Sequence, residues 1–220
     1  MADISQPVLI SDVLEKLNRG NAVRIVGLGD SLTYGWEAAF SYFDLFISRL
    51  RTDFCGVTVS GHNAGLCGDT ASGGESRVTR LLEDKTDLLI VQFGINDLYS
   101  GISLEKYSES LGVIARKAIR ASALPLFITS GPLLYPEQQR DIASFYSALH
   151  TVAASYDCPV ADIAAYWHTH FNDFTPFYYN DGVHPNDAGY RAMADALYQL
   201  CIHPPTLSQQ CLPESEQTNN

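Results

Sequence analysis

Short apolar runs alternate with longer stretches of helical period along almost the whole chain. Runs at 22–28, 57–62, 87–93, 125–130 and 159–162 have strand length, and those at 37–51, 75–84, 104–121, 137–156 and 188–201 have helix length. In the 104–121 segment, Leu104, Tyr107, Leu111, Ile114, Ala115 and Ala118 keep helical spacing, and Ser103 stands where a cap is needed. Leu88-Leu89-Ile90-Val91 is apolar on both faces, as a strand covered by helices on each side would be. Near the start, Val8, Leu9, Val13, Leu14 and Leu17 fall close to one helical face that Gly20 would end.

Strand–helix–strand repetition predicts an α/β fold, a parallel sheet with crossover helices, and its short connections leave little room for a second domain. The expected organisation is a helical lead-in over 1–20, one domain over 21–202 and a polar, proline-containing extension over 203–220. In open parallel sheets, ligands bind beyond the carboxyl ends of the strands. The segments expected there are Gly29-Asp30-Ser31, His62-Asn63-Ala64-Gly65, Gly94-Ile95-Asn96-Asp97 and Ser130-Gly131-Pro132, all rich in small and polar residues. Chemistry is therefore expected at that edge.

Charge narrows the partners. Lys+Arg number 14 against 25 Asp+Glu in 220 residues, a formal net charge of −11, which repels phosphate backbones and anionic headgroups. The expectation is a small-molecule substrate, no nucleic acid and no stable membrane insertion, since no uncharged apolar run approaches the length of a span. Residues 1–20 lack the basic start, apolar core and small-residue cleavage site of a secretory signal. Cys55, Cys67, Cys158, Cys201 and Cys211 are odd in number and widely spaced, which favours reduced thiols and a cytoplasmic location.

Two segments stand out chemically. Gly27-Leu28-Gly29-Asp30-Ser31-Leu32-Thr33-Tyr34-Gly35 lacks the third glycine of a dinucleotide loop and the Gly-Lys-Ser/Thr ending of a triphosphate loop. It places Ser31 at a strand-to-helix turn, either with its hydroxyl projecting or as a simple helix cap. In Asp181-Gly182-Val183-His184-Pro185-Asn186, a carboxylate lies three positions before a histidine, with a glycine that permits a tight turn and a proline that keeps His184 out of a preceding helix. A serine needs a base to take its proton, and an imidazole needs a carboxylate to fix its tautomer. The same segment also reads as a surface loop before the last helix. Asn63–Thr70 and Gly94–Asp97 offer main-chain N–H groups and the neutral amide of Asn96, donors suited to a developing oxyanion.

These four blocks, in this order over about residues 25–200, resemble the GDSL esterase/lipase family, the SGNH hydrolases. The resemblance implies a flavodoxin-like three-layer α/β/α sandwich with five parallel strands in the order 2-1-3-4-5. It implies Ser31 as nucleophile, His184 as base and Asp181 as its orienting partner, with Ser31, Gly68 and Asn96 forming the oxyanion hole. No Gly-x-Ser-x-Gly elbow occurs. The block around Asn63–Gly74 and the segment Leu32-Thr33-Tyr34-Gly35 are most similar to the thioesterase, arylesterase and lysophospholipase branch, although Phe93-Gly94-Ile95-Asn96-Asp97 departs from its usual Gly-Gly-Asn-Asp.

Asp30, Asp69 and Asp97 are expected to brace loops, and Cys67 lacks a local histidine. His168 and His170 are expected at a solvated helix end rather than at a metal. Tyr34, Trp36, Tyr99, Tyr135, Phe177, Tyr178 and Tyr179 either line an acyl pocket or pack under the loops. The implied reaction is hydrolysis of short- to medium-chain carboxylic esters, with no cofactor and no metal. The rival readings are a carbohydrate O-acetylesterase using the same site and a non-catalytic flavodoxin-like module holding a phosphate or flavin.

Overall fold

The structure, a computed structural model, describes residues 10–202. Val8, Leu9 and the 203–220 extension lie outside the described residues. Five strands, β1 (Val23–Gly29), β2 (Val59–Gly65), β3 (Leu88–Gln92), β4 (Leu124–Ile128) and β5 (Val160–Ala161), form one sheet in the order β2-β1-β3-β4-β5. Every pairing is parallel. This is the expected SGNH topology.

Helices cover both faces. On one side α3 (Tyr42–Asp53) packs against α9 (Asp187–Ile202); on the other, α4 (Ala71–Leu81) packs on α6 (Leu104–Arg120) and α6 on α7 (Pro136–Ser155). The central strands are therefore apolar throughout: β3 and β4 have no exposed residue, and Ile25, Val26, Leu28, Ile90, Val91 and Phe127 are fully buried. At the opposite end of the sheet from the site, α1 (Ile10–Asn18) inserts Val13 and Leu17 into the core, and its Lys16 pairs with Asp87 at 2.7 Å.

Boundaries moved where capping or close packing outweighed hydrophobic period. The helix expected from residue 37 begins at Tyr42, because Ser41 and Asp44 form a reciprocal capping box. The helix expected from residue 75 begins at Ala71, where Thr70 caps it and Gly74 lets the Phe93 ring approach. Strand β2 runs on to Gly65, paired with Gly29. Two short helices, α2 (Ser31–Tyr34) and α5 (Ile95–Tyr99), follow β1 and β3 directly, and α8 (Ile163–His170) follows β5. One or two turns of helix carry too little period to be read from sequence.

Candidate active site

The turn that carries Ser31 is fixed from beneath. Asp30 is fully buried and accepts the Leu32 N–H at 2.9 Å, so the carboxylate caps α2 while Ser31 occupies its first position. Gln92, the last residue of β3, donates to the other Asp30 oxygen at 3.2 Å and accepts from Thr33 Oγ1 at 3.1 Å. Thr33 also pairs with the Tyr42 hydroxyl at 2.8 Å. Burial raises the Asp30 carboxyl to about 7, the Leu32 and Gln92 bonds pulling against it and Asp97 and Asp69 adding to it. The expected bracing role of Asp30 has a geometry, and Gln92 is its unforeseen partner. A polar residue closing the run Leu88-Leu89-Ile90-Val91 was the available signal.

The second segment arrives from the far end of the chain. Asp181 Oδ1 accepts the N–H groups of Val183 and His184, both at 2.9 Å, closing a tight turn with Gly182 at φ +68°. Asp181 Oδ2 lies 2.7 Å from His184 Nδ1, and His184 Nε2 lies 2.9 Å from Ser31 Oγ. Burial opposes ionisation of Asp181, but the His184 side chain and the two N–H donors carry its carboxyl below the ordinary value. An ionised Asp181 accepts, so His184 Nδ1 carries the proton and Nε2 is left to accept from the Ser31 hydroxyl. Three residues separated by up to 153 positions thus form one hydrogen-bonded chain.

The residues expected as oxyanion donors follow β2 and β3. Asp69 N–H donates to Leu66 O at 3.1 Å, closing a turn whose third residue is Gly68 at φ +77°, a position that favours glycine. Gly68 is exposed, and its N–H has no partner among the described residues. The Asn96 amide donates one hydrogen to Asp69 O at 3.0 Å, which leaves the second available. Asp97 accepts the Ala71 N–H at 3.1 Å, and burial raises its carboxyl to about 6. Arg77 pairs with Asp69 at 2.7 Å and donates to Gly29 O at 3.1 Å, tying the Gly68 loop to the end of β1. Nothing in the sequence marks Arg77, one of two arginines in α4.

The aromatic residues divide. Phe177 and Tyr178 pack on Trp167 with centroids 5.1 and 5.9 Å apart, so they belong under the loop. Tyr34, Tyr99 and Tyr135 are 58%, 53% and 39% exposed and line the strand-end edge. Trp36 lies against His184. Cys67 is an exposed thiol, and His168 and His170 end α8 exposed, His170 stacked on Tyr166.

The sequence profile of the GDSL-like lipase/acylhydrolase family matches residues 28–192. The chain belongs to that family. It is 30% identical over 105 residues to esterase TesA of Pseudomonas aeruginosa, covering 47% of this chain and 51% of the esterase, so the match spans about half the length of that relative. A solved structure of TesA superposes with a TM-score of 0.69 at 24% identity, covering 82% of this chain and 98% of that one. Axe2, an acetylxylan esterase from Geobacillus stearothermophilus, superposes with a TM-score of 0.72 at 16% identity over 81% of this chain and 94% of its own. At these identities both likenesses establish the shared fold. Among the described residues, no helix is long and apolar enough to cross a membrane.

Proposed function

We propose that this protein is a serine esterase that hydrolyses carboxylic esters of short to medium acyl chain through an acyl-enzyme on Ser31. The observation that carries the reading is the continuous chain Ser31 Oγ–His184 Nε2 at 2.9 Å and His184 Nδ1–Asp181 at 2.7 Å, standing at the carboxyl edge of the sheet. Ser31 Oγ attacks the ester carbonyl as its proton passes to His184 Nε2. Asp181 holds the imidazolium that forms, and the N–H groups of Ser31 and Gly68 with the Asn96 amide receive the oxyanion. The intermediate collapses, and the alcohol leaves with the proton from His184. Water then attacks the acyl-enzyme by the same route, releasing the carboxylic acid and restoring Ser31. No cofactor or metal takes part in these steps.

Chain length follows from what the aromatics are doing. Phe177 and Tyr178 are committed to the Trp167 cluster, so they are not available as an acyl trough. A buried methylene adds about 0.8 kcal/mol, and one left in water adds nothing, so specificity peaks where the pocket ends. The exposed Tyr34, Tyr99 and Tyr135 favour a second reading, in which their faces stack on sugar rings and the acyl group is a carbohydrate acetate. Among the described residues Cys55, Cys67, Cys158 and Cys201 are free thiols, which supports a reducing, cytoplasmic location that cell fractionation tests.

The deciding experiment combines a fluorophosphonate label with kcat/KM over p-nitrophenyl esters from acetate to palmitate, beside acetylated xylan and a thioester. Labelling at Ser31 with a maximum at short to medium esters is expected. A folded protein that neither labels nor hydrolyses would instead be a binding module. A maximum at palmitate would overturn the chain-length reading.

A further inference from the structure

Trp36 touches both the nucleophile segment and the histidine of the proposed proton path. Its main-chain N–H donates to the carbonyl of Ser31 at 3.1 Å, and its indole lies against His184 with centroids 4.3 Å apart and planes at 37°. The two hydrogen bonds of His184 hold the edges of the imidazole and leave its face free to swing. That freedom matters, because Nε2 must let go of Ser31 and turn toward the leaving oxygen without losing Asp181.

The segment that carries Trp36 is fastened to the histidine loop at several points. The Tyr179 hydroxyl donates to Glu37 O at 2.9 Å, and Ala39 N–H donates to Asp187 at 3.2 Å. Tyr179 also meets Trp36 edge to face at 6.0 Å, and its own N–H donates to His184 O at 3.0 Å. Glu37 adopts φ +55°, a left-handed conformation that costs a non-glycine residue free energy and persists only where its surroundings enforce it. The strained residue is the one directly after Trp36, and its carbonyl is the acceptor of the tether. Strain and tethers together hold the indole on the imidazole.

We infer that Trp36 is a positioning residue for the proton transfer: its indole face holds the His184 imidazole between Ser31 and Asp181 and attracts it more strongly once the ring becomes a cation. This rests on the reading of His184 as the base. An aromatic face draws a cation by its quadrupole, so the contact strengthens in the transition state and acts on kcat more than on KM.

The test uses Trp36→Leu, Trp36→Phe and Tyr179→Phe. Loss of one aromatic pair from the transition state lowers kcat about three- to tenfold in Trp36→Leu, with KM changed less than about twofold. Trp36→Phe restores most of the rate. Tyr179→Phe, which removes a single hydroxyl, moves kcat the same way by a smaller factor and serves if Trp36→Leu folds poorly. Independently of turnover, the low-field proton NMR signal of His184 Nδ1–H is expected to broaden through faster solvent exchange in Trp36→Leu and to persist in Trp36→Phe. A raised KM with unchanged kcat would make Trp36 a substrate wall. An unchanged Nδ1 proton in folded Trp36→Leu would also overturn the inference, whatever the rate does. If the wild-type enzyme fails to label or turn over, the esterase reading falls, and the Nδ1 signal still decides whether Trp36 holds the imidazole.

Discussion

Replacing Asp30 by asparagine tests the buried network beneath Ser31 through its pH dependence. Burial lifts the Asp30 carboxyl from 3.8 to about 7, so between those values the folded protein binds a proton that the unfolded chain releases. The stability this contributes is fully present below about pH 4 and is lost as pH rises through about 7. A shift from 3.8 to about 7 corresponds to about 4 kcal/mol, all of it lost above neutrality. Asparagine has nearly the same shape and does not titrate, and the network can accept it. Its Oδ1 still takes the Leu32 N–H, and a flip of the Gln92 amide turns Oε1 toward the new amide and Nε2 toward Thr33. Thr33 then directs its own proton to Tyr42, a pair in which either oxygen can donate. Urea unfolding at pH 4.5 and pH 8 should therefore show wild-type stability falling by about 3–4 kcal/mol more than that of Asp30→Asn. A smaller decline remains in the variant from Asp97, whose carboxyl is raised to about 6. Parallel stability curves for the two proteins would mean that Asp30 is ionised in the fold across this range, and the argument would fail.

Three further outcomes follow from the site. Ser31→Ala removes both fluorophosphonate labelling and turnover while near-UV circular dichroism stays native; substantial hydrolysis by the folded variant would refute the nucleophile. Asn96→Ala lowers kcat on the order of a hundred- to a thousandfold with little change in KM, as expected for a donor to the oxyanion; a change confined to KM would make Asn96 a substrate contact. Gly65→Ala places a Cβ 2.1 Å from the Tyr34 backbone nitrogen, so β2 and the nucleophile turn must separate. That overpacking costs about 1–3 kcal/mol and lowers kcat as well, so unchanged thermal stability and rate would contradict the packing seen here.

The sequence by itself showed the alternation of strands and helices and the segments of the candidate site, because both depend on local signals, while the strand order came from the family resemblance. Short apolar runs mark β1, β3 and β4, helical period marks α6, α7 and α9, and Leu88 to Val91 show that the sheet is covered on both faces. Asp181-Gly182-Val183-His184 is legible for the same reason, since a carboxylate three residues before a histidine can close on it within one turn. What reaches across the fold left no such trace. Gln92 meets Asp30 across 62 positions and Arg77 meets Gly29 across 48, pairs that strand order brings together and no local pattern encodes. The aromatic residues before Asp181 looked alike in sequence, yet Phe177 and Tyr178 turned to the Trp167 cluster while Tyr179 became a tether for Glu37. Side-chain direction in a loop is set by the partners available on either side, and only the packed structure supplies them. Trp36 is the clearest case. Its sequence position allowed a pocket wall or a core residue, and tertiary packing laid it on His184.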